Sequence, residues 1–148
     1  MKYHIKVDKD LRMAVVTTHE GHDLDGFLSF SEELMALVTE QELIRVLVDH
    51  RDTGYLFSRV SREHVRDFAQ HMRRVETALQ YVALASVIES SLQFGIVRMW
   101  ETMVDCLGVK LRHKVTYDTD EAMSWLSTWD GCVSSDDEPL SHELAQDA

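Results

Sequence analysis

The chain has 148 residues, of which 45% are hydrophobic, and a formal net charge of −11 at pH 7. This length suits one domain that buries roughly 68–70% of its unfolded surface. The negative charge argues against broad nucleic-acid binding, which requires a cationic surface. No apolar segment approaches the ~20 residues of a membrane span, and the start, MKYHIKVDKD, lacks the apolar core of a signal peptide. We therefore expect a soluble, cytoplasmic protein with no transmembrane segment, whose two cysteines are reduced thiols.

The N-terminal third predicts a β-hairpin followed by a helix. The alternating segment YHIKVD and the apolar segment LRMAVVTT flank a turn at residues 8–10. After the polar loop HEGHDLDG, apolar residues recur at helical spacing between Leu24 and Val38.

The middle of the chain alternates between strands and helices. Two runs, IRVLVD (44–49) and YVALASVI (81–88), are nearly continuously apolar, which is typical of strands covered on both faces of an α/β sheet. Between them, Ser61 is expected to cap an amphipathic helix whose apolar stripe ends at Leu79. Ser90 or Ser91 is expected to cap the next helix, and Gly108 to end it, because glycine suits a left-handed cap.

The last strand is LRHKVTY and the last helix is DTDEAMSWLSTW, where Asp118 and Glu121 have the spacing of a capping box. The order ββαβαβαβα predicts one α/β domain over residues 1–129, with a mixed five-stranded sheet and about four helices. Residues 130–148 contain six acidic residues, no Lys or Arg and the single proline of the chain. We predict that they form an acidic, disordered tail.

Three segments, in this order, resemble the SpoIIAA-like group, relatives of the STAS domains that act as anti-sigma-factor antagonists. They are Asp49 at the end of the third strand, ALASVIESSLQFGIVRMWETM running from strand into helix, and VTYDTDEAMSWL. The resemblance covers residues 2–129 and implies a small α/β sandwich, usually without catalysis, that works by binding a partner. STAS antagonists carry a phosphorylatable Ser or Thr in a D-S-S-G-like turn ahead of a helix. Here Thr53, Ser58 and Ser61 are the candidate phospho-acceptors.

The segment from 45 to 74 is rich in arginine. It holds seven arginines against four acidic residues, a local excess of +3 in an acidic chain. Arg59, Arg62, Arg66 and Arg73 share a face of the predicted helix, and the first three form a predicted partner-binding surface with Arg51. An anionic protein, a phosphate or lipid headgroup, or the acidic tail would suit this surface. The alternative is a solvated face with weak ion pairs.

Histidines provide only weak metal candidates. His19, His22 and His50 combine imidazoles with nearby carboxylates, as zinc sites do. However, the spacing is H-E-x-H, and not the H-E-x-x-H that places two imidazoles on one helical face. The sequence has no nucleophile elbow and no glycine-rich phosphate loop. We therefore expect no catalytic residue, metal or cofactor.

The helix from Leu92 to Leu107 carries apolar residues on more than one face, including methionines and Trp100. Such residues are typical of interfaces, so we predict a homodimer contact in addition to core packing. A plain core helix, or a helix that lifts to admit a small apolar or lipid-like ligand, is the alternative. The leading hypothesis is a non-catalytic binding or regulatory module. A carrier or sensor of an apolar or amphiphilic ligand at a membrane surface ranks second, and a metal-dependent enzyme third.

Overall fold

A mixed five-stranded sheet organises the protein. The computed structural model describes residues 2–19, 24–52 and 61–132, which contain the strands β1 (Lys2–Asp8), β2 (Met13–His19), β3 (Arg45–Asp49), β4 (Ala83–Val87) and β5 (Arg112–Thr116). The helices are α1 (Leu24–Glu40), α2 (Arg62–Arg74), α3 (Glu76–Leu79), α4 (Ser91–Cys106) and α5 (Thr119–Ser127). The predicted α/β class and mixed sheet are confirmed. None of the described helices is long and apolar enough to cross a membrane.

The strands follow one another across the sheet in the same order as along the chain. β1 pairs with β2 in antiparallel fashion, and β2 to β5 are parallel. Each parallel connection therefore steps one strand in the same direction. Because such crossovers are right-handed, α1, α2 and α4 must lie on one face of the sheet.

The two faces of the sheet have separate cores. On the helix-rich face, alternate strand residues such as Val16 and Val46 pack against Leu34, Met72 and Val104 of the three helices. On the other face, α5 and the residues after it cover the middle of the sheet, where they contact Met13, Ile44, Leu47, Ala83, Ala85 and Val87. The sheet thus lies between two helical layers, with α1, α2 and α4 on one face and α5 on the other.

The expected helix from 61 to 79 is two helices. Its apolar periodicity continues, but Val75 leaves the helical conformation (φ −102°, ψ 11°) and separates α2 from the one-turn α3. This break gives five helices instead of the predicted four among the described residues. Ser61 does cap α2, and the side chain of His64 accepts from the Ser61 N–H in return, which completes a capping box.

The other helix ends follow the sequence with one exception. Ser90 caps α4, and Gly108 after its end takes a left-handed conformation (φ +78°). Asp118 caps α5 by accepting from the Asp120 N–H. The predicted capping-box partner of Asp118 was wrong, because the carboxylate of Glu121 instead accepts from the Thr116 hydroxyl at 2.8 Å.

The chain after α5 is fixed at the amino-terminal edge of the parallel strands. Arg45, the first residue of β3, donates to the carbonyls of Leu126 (2.9 Å), Trp129 (2.6 Å) and Leu11. The Trp129 indole N–H donates to the Tyr81 carbonyl at 3.0 Å, and the guanidinium of Arg112 lies 3.6 Å above the Trp129 ring. These contacts hold the start of the acidic segment beside β3 and β4.

Candidate functional site

The carboxyl-terminal edge of the parallel strands is the natural place to look for a site. Ligand sites of open α/β sheets form where parallel strands end and their helices begin. Here β2, β3, β4 and β5 all end at this edge, and α2 and α4 begin there. The strand order never reverses, so no topological switch point opens a crevice in this sheet. The candidate site therefore consists of the side chains that this edge exposes.

A buried hydrogen-bond network connects the strand ends at this edge with the start of α4. The Thr18 hydroxyl donates to the Asp49 carbonyl at 3.2 Å and lies 3.3 Å from Nδ1 of buried His50. Gln93 in the first turn of α4 is buried, accepts from the Glu89 N–H at 2.7 Å, and donates to the His50 carbonyl at 3.4 Å. Three strands and α4 are therefore tied together at their ends, which makes the edge a rigid base.

Arg51, a predicted partner-binding residue, forms an ion pair within its own loop. Its guanidinium makes a two-pronged contact with the Asp49 carboxylate, at 2.9 Å and 2.7 Å. Burial alone would raise the pKa of Asp49, but hydrogen bonds from the side chain and backbone of Arg51 outweigh it and leave that pKa below its usual value. The charge of Arg51 is thus largely neutralised by its neighbour.

Arg62 and Arg66 differ from Arg51. Both are exposed on α2, and neither makes an ion pair with any residue that the structure describes. Ser61 is exposed at the start of α2, with its hydroxyl engaged in the cap. The other predicted residues of this surface, Arg59 and the candidate phospho-acceptors Thr53 and Ser58, lie outside the described residues.

An exposed apolar cluster lies at the same edge. Leu92 is 55% exposed, Phe94 39% and Tyr117 53%. The rings of Phe94 and Tyr117 stack with their centroids 6.2 Å apart and their planes 15° from parallel. Phe94 belongs to the first turn of α4, and Tyr117 directly follows β5. We call these three residues, together with Arg62 and Arg66, the edge surface.

Two of the three candidate metal ligands, His19 and His50, lie among the described residues. Thr18 points to the helix-rich face, where it contacts His50, so the next residue of β2, His19, must point to the opposite face. The Nδ1 of His19 lies 4.0 Å from the Asp52 carboxylate. Across residues 2–19, 24–52 and 61–132, no three His, Cys, Asp or Glu side chains are placed to hold one metal ion. His22 is not among these residues.

A row of polar side chains that the sequence did not predict connects β4, β5 and α4. The Ser86 hydroxyl lies 2.8 Å from Nε2 of His113. Glu101 Oε1 lies 2.6 Å from His113 Nδ1, although without the alignment of a hydrogen bond, and Arg98 binds the other carboxylate oxygen at 2.7 Å. The order Ser–His–Glu has the connectivity of a hydrolytic triad.

The solvent exposure of these side chains does not suit a catalytic triad. Ser86 is 5% exposed, while the side chains of Glu101 and Arg98 are 17% and 42% exposed. A nucleophile must face the substrate with its acid buried behind it, whereas here the acid faces solvent and the serine lies under α4. We interpret these side chains as a structural bridge that joins β4 and β5 to α4.

Two features bear on the expected apolar ligand. Trp100 of α4 is buried and packs against Phe68 and His113, with ring centroids 5.6 Å and 5.3 Å away. A groove of about 550 Å³ lies elsewhere, between α1 and the α2–α3 junction. We call it the α1–α3 groove; its lining residues are Glu32, Met35, Ala36, Thr39, Glu40, Arg74, Val75, Thr77 and Ala78.

Comparisons of the chain with protein-family models, with curated proteins and with solved structures find no match.

Proposed function

We propose that this protein is a non-catalytic binding module that recognises an acidic protein partner through the edge surface. The observation that carries the proposal is the exposed, stacked pair Phe94–Tyr117 at the edge where the exposed arginines Arg62 and Arg66 also lie. Aromatic residues and arginine are the side chains that protein interfaces favour most. Their occurrence together on one surface supports recognition of a protein.

Buried hydrogen bonds fix the start of α4. Phe94 is next to Gln93, which accepts from the Glu89 N–H and donates to the His50 carbonyl, so the backbone that carries Phe94 is held in place before a partner arrives. Preorganised side chains lose less conformational entropy on binding. The arginines add long-range attraction to an acidic partner, and this attraction weakens as salt increases.

The resemblance to SpoIIAA-like and STAS-type domains agrees with this function, because that group works by binding proteins. We extend the proposal to a homodimer, with half-buried apolar residues of α4 outside the edge surface, such as Met99 and Met103, as the contact. Native mass spectrometry of the purified protein at micromolar concentration tests this part, and a monomer at every concentration contradicts it.

The partner surface is tested by affinity capture from a lysate of the host organism with two matched double variants. Arg62→Glu/Arg66→Glu reverses two charges at the start of α2, and Arg73→Glu/Arg74→Glu reverses two charges at its end. We expect the first variant to lower the recovered partner by at least about tenfold, and the second to leave it nearly unchanged. Phe94→Ser should act like the first variant. Undiminished capture by Arg62→Glu/Arg66→Glu, with an unchanged melting temperature, would exclude the edge surface.

A further inference from the structure

The α1–α3 groove is an apolar channel with charged rims. Its apolar lining residues are Met35 and Ala36 of α1 and, on the other side, Val75 and Ala78. Arg74 lies on the α2 side. Arg73 and Arg74 are both exposed and form no ion pair within the described part of the chain. The α1 side carries Glu32 and Glu40, so a segment that lies in the groove must turn its acidic residues toward α2.

The acidic tail emerges at the same edge of the sheet as this groove. The Trp129 indole is bonded to the Tyr81 carbonyl, and Tyr81 follows the groove residue Ala78 by three positions, at most about 11 Å along the chain. Gly131 has a positive φ of 83°, and a side chain at this position would approach Ile44 to 3.0 Å. The fold therefore fixes the exit of the tail at the amino-terminal edge, where α1 and α2 end.

The tail has the residues that the groove requires. Residues 133–148 lie outside the described residues, and their sequence is VSSDDEPLSHELAQDA. Three consecutive acids occupy 136–138, and Leu140 and Leu144 follow four residues apart, the spacing that places side chains on one face of a helix. From Cys132 to Leu140 the chain can span about 26–29 Å, enough to pass Tyr81 and reach the groove.

We propose that residues 136–144 of the same chain dock in the α1–α3 groove. Leu140 and Leu144 contact its apolar lining residues, and the acidic run 136–138 pairs with Arg73 and Arg74 on the α2 side. The half-exposed ring of Tyr81 lies along the path of the tail and is partly covered by it. This site is at the opposite edge of the sheet from the edge surface, so the proposal does not depend on the proposed function.

Hydrogen exchange measured by mass spectrometry on the full chain tests this docking. In the wild type we expect the amides of residues 140–146 to exchange at least about tenfold more slowly than in a free peptide of the same sequence. Arg73→Glu/Arg74→Glu and Leu140→Ser/Leu144→Ser should each remove that protection. The matched control Arg62→Glu/Arg66→Glu makes the same charge change on the same helix and should keep it. Unchanged exchange of the β3 and β4 amides shows that every variant is folded.

A charge swap completes the test. Replacing Asp136, Asp137 and Glu138 by lysine in the Arg73→Glu/Arg74→Glu background should restore the protection. The proposal is overturned if the wild-type tail exchanges as fast as the free peptide, or if the protection survives Arg73→Glu/Arg74→Glu. Protection that disappears on tenfold dilution would assign the groove to the tail of a second copy and would overturn docking within one chain.

Discussion

Two arginines at opposite ends of β3 show how position decides the role of a side chain. Arg45 begins the strand and donates to carbonyls of α5, of the residues after it and of the β1–β2 turn. Arg51 lies two residues beyond the end of the strand and pairs with Asp49, two residues away. One arginine therefore joins distant parts of the chain, whereas the other orders a single loop.

Positive charge alone therefore does not define a binding surface. Both residues belong to the arginine-rich segment, and both have their charge or hydrogen-bonding groups satisfied by the protein itself. Arginines such as Arg62 and Arg66, which form no ion pair with a described residue, keep their charge available to a partner. Arginines that bond to groups of the protein itself therefore differ in role from exposed arginines that form no ion pair.

The largest change in the free energy of unfolding is expected for Arg45→Ala. The substitution leaves the Leu126 and Trp129 carbonyls without their donor in a partly buried place, and it releases the end of α5. We expect the free energy of unfolding to fall by about 3 kcal/mol, which urea denaturation measures. Arg62→Ala, an exposed arginine without these contacts, is the matched control and should change it by less than about 0.5 kcal/mol. Equal effects of the two variants would refute the comparison.

A smaller change in the free energy of unfolding is expected for Arg51→Ala. Near neutral pH the partly exposed pair contributes only about 0.5 kcal/mol. Because the folded-state pKa of Asp49 lies below its unfolded value, the pair stabilises the fold above about pH 4, and this contribution is lost as the pH falls through the folded pKa. NMR titration should show a higher Asp49 pKa in the variant. Its stability should also approach that of the wild type in acid, and a constant difference down to low pH would contradict the assignment.

The smallest effect on stability is expected at the edge surface. Phe94 and Tyr117 are exposed, and serine and phenylalanine have similar helix propensities, so Phe94→Ser should change the free energy of unfolding by about 0.5 kcal/mol or less. Thermal or urea denaturation checks this. A loss above 2 kcal/mol would show that the aromatic pair belongs to the core, and it would remove the main support for a partner surface.

The sequence predicted the fold well where local signals decide it. The apolar runs of β3 and β4, the serine caps at Ser61 and Ser90, and the glycine after α4 each act over a few residues. The break at Val75 was missed, because the apolar periodicity continues through it and only tertiary packing shortens the helix.

The sites were less predictable, because they depend on strand register. Ser86 and His113 are 27 residues apart, and they meet only because β4 pairs with β5 in one register. The signal that could have indicated the contact is the alternation of each strand, which turns both side chains to the helix-rich face. The exposure of Phe94 and Tyr117 was equally hidden, since aromatic residues at helix and strand ends are usually buried.

The order of the strands also has a consequence for synthesis of the protein on the ribosome. Each βα unit that emerges can add to the open side of the sheet already formed, without waiting for a later segment to insert between strands. The second face is different, because within residues 2–19, 24–52 and 61–132 it is α5 and the residues after it that cover Leu47, Ala85 and Val87. A nascent chain that has completed all five strands therefore still exposes the apolar residues of this face. Folding of α5 buries them and removes an aggregation-prone surface.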